Sequence, residues 1–248
     1  MKKDTIQRFI KKYYLNGIID SAVWVKEPGI LKVTAMTSDK KLFADVKLKN
    51  FDGLDDAKFG ILTTKRLLAL LKTIPSDDIS MDIVENAKGD VAAVGFSAEK
   101  YKVQYVASDL NVIDPVPSMK HIPAFTVAIK MEEAFIDWFK SAYNAMGDSG
   151  SLFTVVKSNQ SGKLEVVIGY KSKGYSDRLH YQPITVENKN TIKAPVSFTA
   201  KHLAEVLKAN PEFKDPILNV CEAGLASISF SEVDLDSQYY LVKVEVED

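Results

Sequence analysis

Leu62-Thr-Thr-Lys-Arg-Leu-Leu-Ala-Leu-Leu-Lys72 aligns without a gap against Phe198-Thr-Ala-Lys-His-Leu-Ala-Glu-Val-Leu-Lys208, and each run is closed by a proline, Pro75 and Pro211. At this constant offset Thr63/Thr199, Lys65/Lys201, Leu67/Leu203, Leu71/Leu207 and Lys72/Lys208 are identical. Apolar residues three and four apart (Leu67, Leu70, Leu71; Leu203, Val206, Leu207) predict amphipathic helices over 63–74 and 199–209. Thr63 and Thr199 stand where N-caps belong. A repeat of this length means two copies of one domain, since the periods of stacked solenoids are much shorter.

Working outward, each half reads as helix, strands, helix, strands. A helix over 3–15 carries the stripe Ile6, Phe9, Ile10, Tyr13 and Tyr14 and meets the stop Asn16-Gly17. Its counterpart over 131–146 carries Phe135, Ile136, Phe139 and Tyr143 and precedes Gly147. Strands are expected at 22–26, 30–37 and 42–48, and again at 152–158, 163–170 and 179–186. Glu27-Pro-Gly29, Ser38-Asp39 and Asn159-Gln-Ser-Gly162 supply turns between them. Final strands fall within 79–106 and 217–246, and each set ends on a tyrosine-bearing segment, Tyr101-Lys-Val-Gln-Tyr-Val and Gln238-Tyr-Tyr-Leu-Val-Lys-Val. Between the halves, 110–124 holds Pro115, Pro117 and Pro123 and no periodicity, which predicts a semi-rigid, extended connector. The expected organisation is α+β, with domains at 1–110 and 125–248 joined by 111–124.

Composition sets limits. The 248 residues are 46% hydrophobic and 26% charged, the balance of an ordinary globular chain with room for two cores. No apolar run approaches a membrane span, and Met1-Lys-Lys-Asp-Thr-Ile-Gln-Arg8 lacks a secretory apolar stretch. The single cysteine, Cys221, excludes an internal disulfide and fits a cytoplasmic protein. Asn159-Gln-Ser161 matches a glycosylation acceptor, which without export is a chance match.

Catalytic patterns are missing. There is no phosphate-binding glycine loop, no dinucleotide fingerprint and no nucleophile elbow. His121, His180 and His202 stand far apart, and no Cys/His cluster has metal-ligand spacing. The pairs Asp55-Asp56, Asp77-Asp78 and Glu132-Glu133 sit at turns or helix starts, where acids solvate a loop or complement the helix dipole. Cys221 lies in an apolar run and reads as a core residue. No catalytic residue, metal or cofactor is expected, and an enzyme is disfavoured.

Charge is distributed unevenly. The chain's formal net charge is −1. Residues 1–15 hold Lys2, Lys3, Arg8, Lys11 and Lys12 against Asp4 alone, and residues 61–74 hold Lys65, Arg66 and Lys72 with no acid. The segment 199–209 has Lys201 and Lys208 against Glu205, whereas 130–146 has Lys130 and Lys140 against Glu132, Glu133 and Asp137. A helix half-buried on a sheet needs polar residues outward in any case, and lysine serves. Three of four helices sharing the bias in an otherwise acidic chain points instead to weak, sequence-independent contact with phosphates.

The tandem domains, proline-rich connector and basic helices, together with Phe59-Gly-Ile-Leu-Thr-Thr-Lys-Arg-Leu-Leu-Ala-Leu-Leu71, the Phe198-to-Lys208 run and Tyr239-Tyr-Leu-Val-Lys-Val-Glu-Val-Glu-Asp248, resemble the DNA sliding clamps, both PCNA and the clamps of tailed bacteriophages. The resemblance implies a processivity fold with antiparallel sheets outside and two helices per domain lining a pore. It implies a homotrimeric ring that encircles double-stranded DNA and tethers a DNA polymerase after placement by a clamp loader. The implied DNA-facing residues are Arg8, Lys11 and Lys12 on the first helix, and Lys65, Arg66 and Lys72 on the second. Lys140, Lys201 and Lys208 complete that set, Lys140 on a helix more acidic than clamps usually show. Ring closure through edge strands would use 101–108, with Tyr101, Val103 and Tyr105, and 179–186, with Leu179, Tyr181 and Ile184. Partner peptides would dock on Val112, Ile113, Pro115, Val116, Met119 and Ile122 of the connector and on Tyr239 and Tyr240; the same residues also suit a simple anchoring of the connector. Two other readings stand beside the ring: a monomeric or dimeric polymerase accessory factor of the same fold, and a structural protein with duplicated domains and no role with DNA.

Overall fold

Ile6, Phe9, Ile10 and Tyr13 fall on one face of α1 (Lys3–Tyr14), and all four are buried. The computed structural model that places them describes residues 1–119, 121–158, 161–172, 176–188 and 192–245. The chain forms two compact units, Met1–Thr37 with Ala44–Pro117 and Ser231–Ser237, and Ser38–Phe43 with Ser118–Phe230 and Gln238–Asp248.

In the first unit α1 ends in a left-handed turn through Leu15 and Asn16, with Gly17 at φ +97°, a backbone conformation that glycine adopts without steric cost. Strands β1 (Ala22–Glu27), β2 (Ile30–Met36), β3 (Leu42–Lys49) and β4 (Ala57–Ile61) follow, then α2 (Thr64–Lys72) and β5 (Ser80–Glu85), β6 (Val91–Ala98) and β7 (Tyr101–Val106). They lie in the orders β3-β2-β1-β4 and β5-β6-β7. Alternation along β1 buries Ala22, Trp24 and Lys26. Trp24 is the hub of this core, with Phe9 edge-on at 5.2 Å and Phe59 tilted at 5.7 Å. Its Nε1 donates to Tyr13 Oη at 3.1 Å, and that oxygen lies 3.2 Å from Thr64 Oγ1. A polar chain thus runs from β1 through α1 to α2, and it pairs both the Trp24 indole and the Tyr13 phenol inside the core.

The second unit repeats the order. It consists of β8 (Val127–Lys130), α3 (Glu133–Met146), β9 (Leu152–Lys157), β10 (Leu164–Ile168), β11 (Leu179–Tyr181), β12 (Ile184–Asn188), β13 (Val196–Thr199), α4 (Ala200–Ala209), β14 (Ile217–Cys221), β15 (Leu225–Ser231) and β16 (Leu235–Val242). The strand orders are β11-β10-β9-β13 and β12-β8-β14-β15-β16. Its core is a file of phenylalanines: Phe139 lies edge-on to Phe153 at 5.4 Å, and Phe153 pairs across the sheet with Phe198 at 5.4 Å. The β8–β14 pairing has a short echo in the first unit, where Lys2 bridges Asp78 and Met1 exchanges backbone hydrogen bonds with Ile79.

Three sequence expectations change, and a fourth lies partly outside the described residues. The strand over 179–186 is two strands in two sheets, because Pro183 between them lacks an N–H to continue a ladder. Thr63 and Thr199 occupy N-cap positions, but neither side chain caps. For α2 the capping oxygen comes from Asp20, whose carboxylate accepts from Lys65 N at 3.0 Å. The last strand stops at Val242 rather than running to 246. Half of the Asn159-to-Gly162 turn, residues 159 and 160, lies outside the described residues, as does Asn159 of the glycosylation match.

Cys221 is buried in β14, as a core residue should be. The acidic pairs have ordinary partners: Asp56 meets buried Lys26 at 3.3 Å, Asp78 meets Lys2 at 2.8 Å, and Glu132 meets Lys130 at 3.5 Å. The hydrogen bond from Lys2 holds the Asp78 carboxyl below the usual range. Among the described residues, no helix is long and apolar enough to cross a membrane.

Candidate nucleic-acid interface

Helix α2 is the strongest basic element. Thr64, Leu67 and Leu71 turn inward, which leaves Lys65, Arg66 and Lys72 exposed on a helix without a single acid. Among the described residues none of these three has a carboxylate partner. The helix start is fixed from both sides. Thr64 N and Oγ1 both donate to Asp20 O, at 2.8 and 2.7 Å, while Thr63 N donates to Tyr105 Oη at 3.0 Å. These bonds satisfy donors that the first turn of any helix leaves open.

Helix α1 offers less than its composition promises. Lys11 is exposed, but Lys12 is only 3% exposed and presents no charge to a ligand. Its burial follows from helical geometry: a residue next to Tyr13 and two after Ile10 lies near the edge of the apolar stripe. Arg8 Nη2 donates to Glu232 Oε2 at 2.5 Å and to Asp234 Oδ1 at 3.3 Å. Both acids lie more than 220 positions away in sequence, so no local pattern reveals them.

In the second unit, α4 is buried along most of its length, from His202 to Leu207, and shows Lys201 and Lys208 at its ends. Lys208 pairs with Glu205 at 2.6 Å, and Lys201 has no acidic partner among the described residues. Asn210 closes the helix by donating from Nδ2 to Val206 O at 2.7 Å and to Tyr239 Oη at 3.2 Å. Helix α3 exposes Glu133 and Asp137, and Lys140 is half-buried. Trp138, half-buried on α3, lies against Tyr181 at 5.0 Å.

The expected peptide-docking residues separate into two groups. Val112, Pro115, Met119 and Ile122 are exposed and Val116 is half-buried. Ile113, by contrast, is buried and anchors the connector: Gly60 has no Cβ, and one placed there would meet Ser108 O at 2.7 Å and Ile113 Cδ1 at 2.8 Å. Tyr239 and Tyr240 are also buried; Tyr239 serves Asn210 and packs on Phe230, so it is no part of an open docking surface. Their burial follows from the phase of β16, which buries both faces at this point.

β7 ends one sheet of the first unit, and β11 ends one sheet of the second. On β7, Tyr101 is exposed and Val103 half-buried, but Tyr105 points into the core and holds Thr63. The alternation puts Val106 outward at 74% exposure, and the residue was legible as the neighbour of an inward tyrosine. On β11, Leu179 is half-buried and Tyr181 packs between Phe135 and Trp138. Ile184 is exposed, on β12 rather than on this edge.

No protein-family model and no curated relative matches the sequence. Solved structures do. A PCNA from A. fulgidus, in a structure with the C-terminal region of FEN-1 bound, matches with a TM-score of 0.71 at 14% identity, over 100% of this chain and 98% of that one. PCNA from Entamoeba histolytica matches at 0.68 and 16% identity over 99% and 97% of the two chains. A chain of the PCNA2–PCNA3 complex from Sulfolobus tokodaii matches at 0.67 and 13% over 98% and 97%. The likeness runs through both units, and this chain has the two-domain α+β fold of the PCNA-like sliding clamps.

Proposed function

We propose that the chain is a DNA sliding clamp, a non-enzymatic ring of three copies that encloses duplex DNA and tethers a polymerase loaded with it. The observation that carries the reading is the acid-free, exposed basic face of α2 on a chain whose fold matches PCNA end to end. Lys65, Arg66 and Lys72 would supply diffuse attraction to phosphates, with Lys11 and Lys201 adding to it. Such contacts carry no base readout, which suits movement along DNA. Closure would join β7 of one copy to β11 of the next, since each strand otherwise presents an unpaired row of backbone groups. Val112, Met119 and Ile122 on the connector would receive apolar residues of partner peptides, from the polymerase, the clamp loader or other proteins.

The test has two parts. Light scattering across a concentration series should give a species near three times 27.5 kDa. The loaded protein should then remain on closed circular DNA and be lost when that DNA is linearised. A strict monomer at high concentration would sink the ring and leave an accessory factor that binds DNA on an open basic face.

A further inference from the structure

We propose that the acidic turn between β15 and β16 is an internal substitute for DNA phosphate on Arg8, so that this cation is masked until a duplex displaces the turn. The inference rests on the clamp reading and adds to it a competing intramolecular ligand. Glu232 and Asp234 both contact the same guanidinium nitrogen, Nη2, at 2.5 and 3.3 Å. Nε and Nη1 of Arg8 have no partner among the described residues, so a phosphate could be engaged by those hydrogens before the carboxylates let go. The side chains of Arg8, Glu232 and Asp234 are 34%, 25% and 37% exposed. Water and counter-ions reach such a contact, and ion pairs of this kind are weak enough to exchange.

The rest of the turn stays in place without Arg8. Lys49 Nζ donates to Glu232 O at 2.7 Å and to Asp236 Oδ1 at 2.9 Å, and Lys49 N donates to Asp234 O at 2.7 Å. Ser231 Oγ also donates to Asp236. Asp236 is therefore committed to β3 and to its own strand, while the Glu232 and Asp234 carboxylates are the groups turned to α1. The turn carries three carboxylates within five residues, enough to cancel Arg8 and Lys49 and leave one negative charge over. Masking in this form keeps α1 nearly neutral toward DNA, with Lys11 its exposed cation, and leaves α2 to make first contact.

The experiment is a salt series of duplex binding, read by anisotropy of a labelled oligonucleotide, on the full chain and three variants. Glu232→Gln with Asp234→Asn should tighten binding about threefold or more and steepen the slope of log K against log salt by up to about 0.9, one extra phosphate contact. Arg8→Gln alone should change affinity less than twofold. Added to the double variant, Arg8→Gln should erase the gain. If it does not, the gain reflects net charge and the masking idea falls. The idea falls equally if Arg8→Gln alone weakens binding as much as Lys65→Gln does. Should the double variant fail to fold, Asp234→Asn, which removes the longer contact, carries the same comparison. Binding that responds to Lys65→Gln but to none of the turn variants overturns masking and keeps the clamp reading. Absence of binding by the unaltered chain at low salt overturns both.

Discussion

His202 is buried, and its burial couples the fold to pH. Its Nε2 lies 3.6 Å from Asp39 Oδ2, and its Nδ1 is buried without a hydrogen-bond partner among the described residues. Burial pushes its proton affinity below that of an ordinary histidine; Asp39 opposes this and Lys201 adds to it. The folded chain therefore binds this proton less readily than the unfolded one does. The neutral form's stability is intact above the ordinary histidine range, about 6.5, and is lost as pH falls through it toward the lower folded value. Urea denaturation at pH 7.5 and 5.5 should show a larger fall for the natural chain than for His202→Gln. Equal falls would place the sensitivity elsewhere. Lys12 and Tyr239 teach a related lesson. Charge marks Lys12 as a ligand for phosphate and the resemblance to clamps marks Tyr239 as a pocket wall, yet both are buried.

At the level of elements, the repeat was the most legible feature. The run 62–72 follows β4 directly and enters α2, and 198–208 passes from β13 into α4, with the helices starting at matching positions. Period 3.6 survives divergence because each helix must bury one face whatever the other does. What the outer faces do was less legible. Only the helix without acids, α2, keeps all its expected cations exposed and without acidic partners, so it should dominate DNA contact. Replacing Lys65, Arg66 and Lys72 together with glutamine should make the salt slope shallower by about 2.7, at about 0.9 per phosphate contact. Because all three are exposed, each replacement should shift stability by no more than about 0.5 kcal/mol, which a thermal melt will check. An unchanged salt slope would remove α2 from the interface. The strand expected over 179–186 failed for a local reason that was in the sequence: Pro183 was there to read, and its missing N–H outweighs the β-forming residues on either side.

For the whole molecule, the open edges of β7 and β11 set the expected assembly. Tyr101→Lys with Val106→Lys adds two charges at exposed positions of β7, one on each face, without touching buried Tyr105. If β7 joins copies, the mass measured by light scattering should fall from three times 27.5 kDa toward one, with the circular dichroism spectrum unchanged. A trimer that survives both lysines would move the joint elsewhere. The sequence by itself determined the duplication, the four α-helices described, most strands and the uneven charge, because each follows from periodicity or composition within a short window. Tertiary structure alone decided which cations remain available: it buried Lys12, set Glu232 and Asp234 against Arg8, and left α2 bare. The pairing of Arg8 depends on contacts between residues more than two hundred positions apart, and electrostatic pairing acts through space, where sequence spacing has no say.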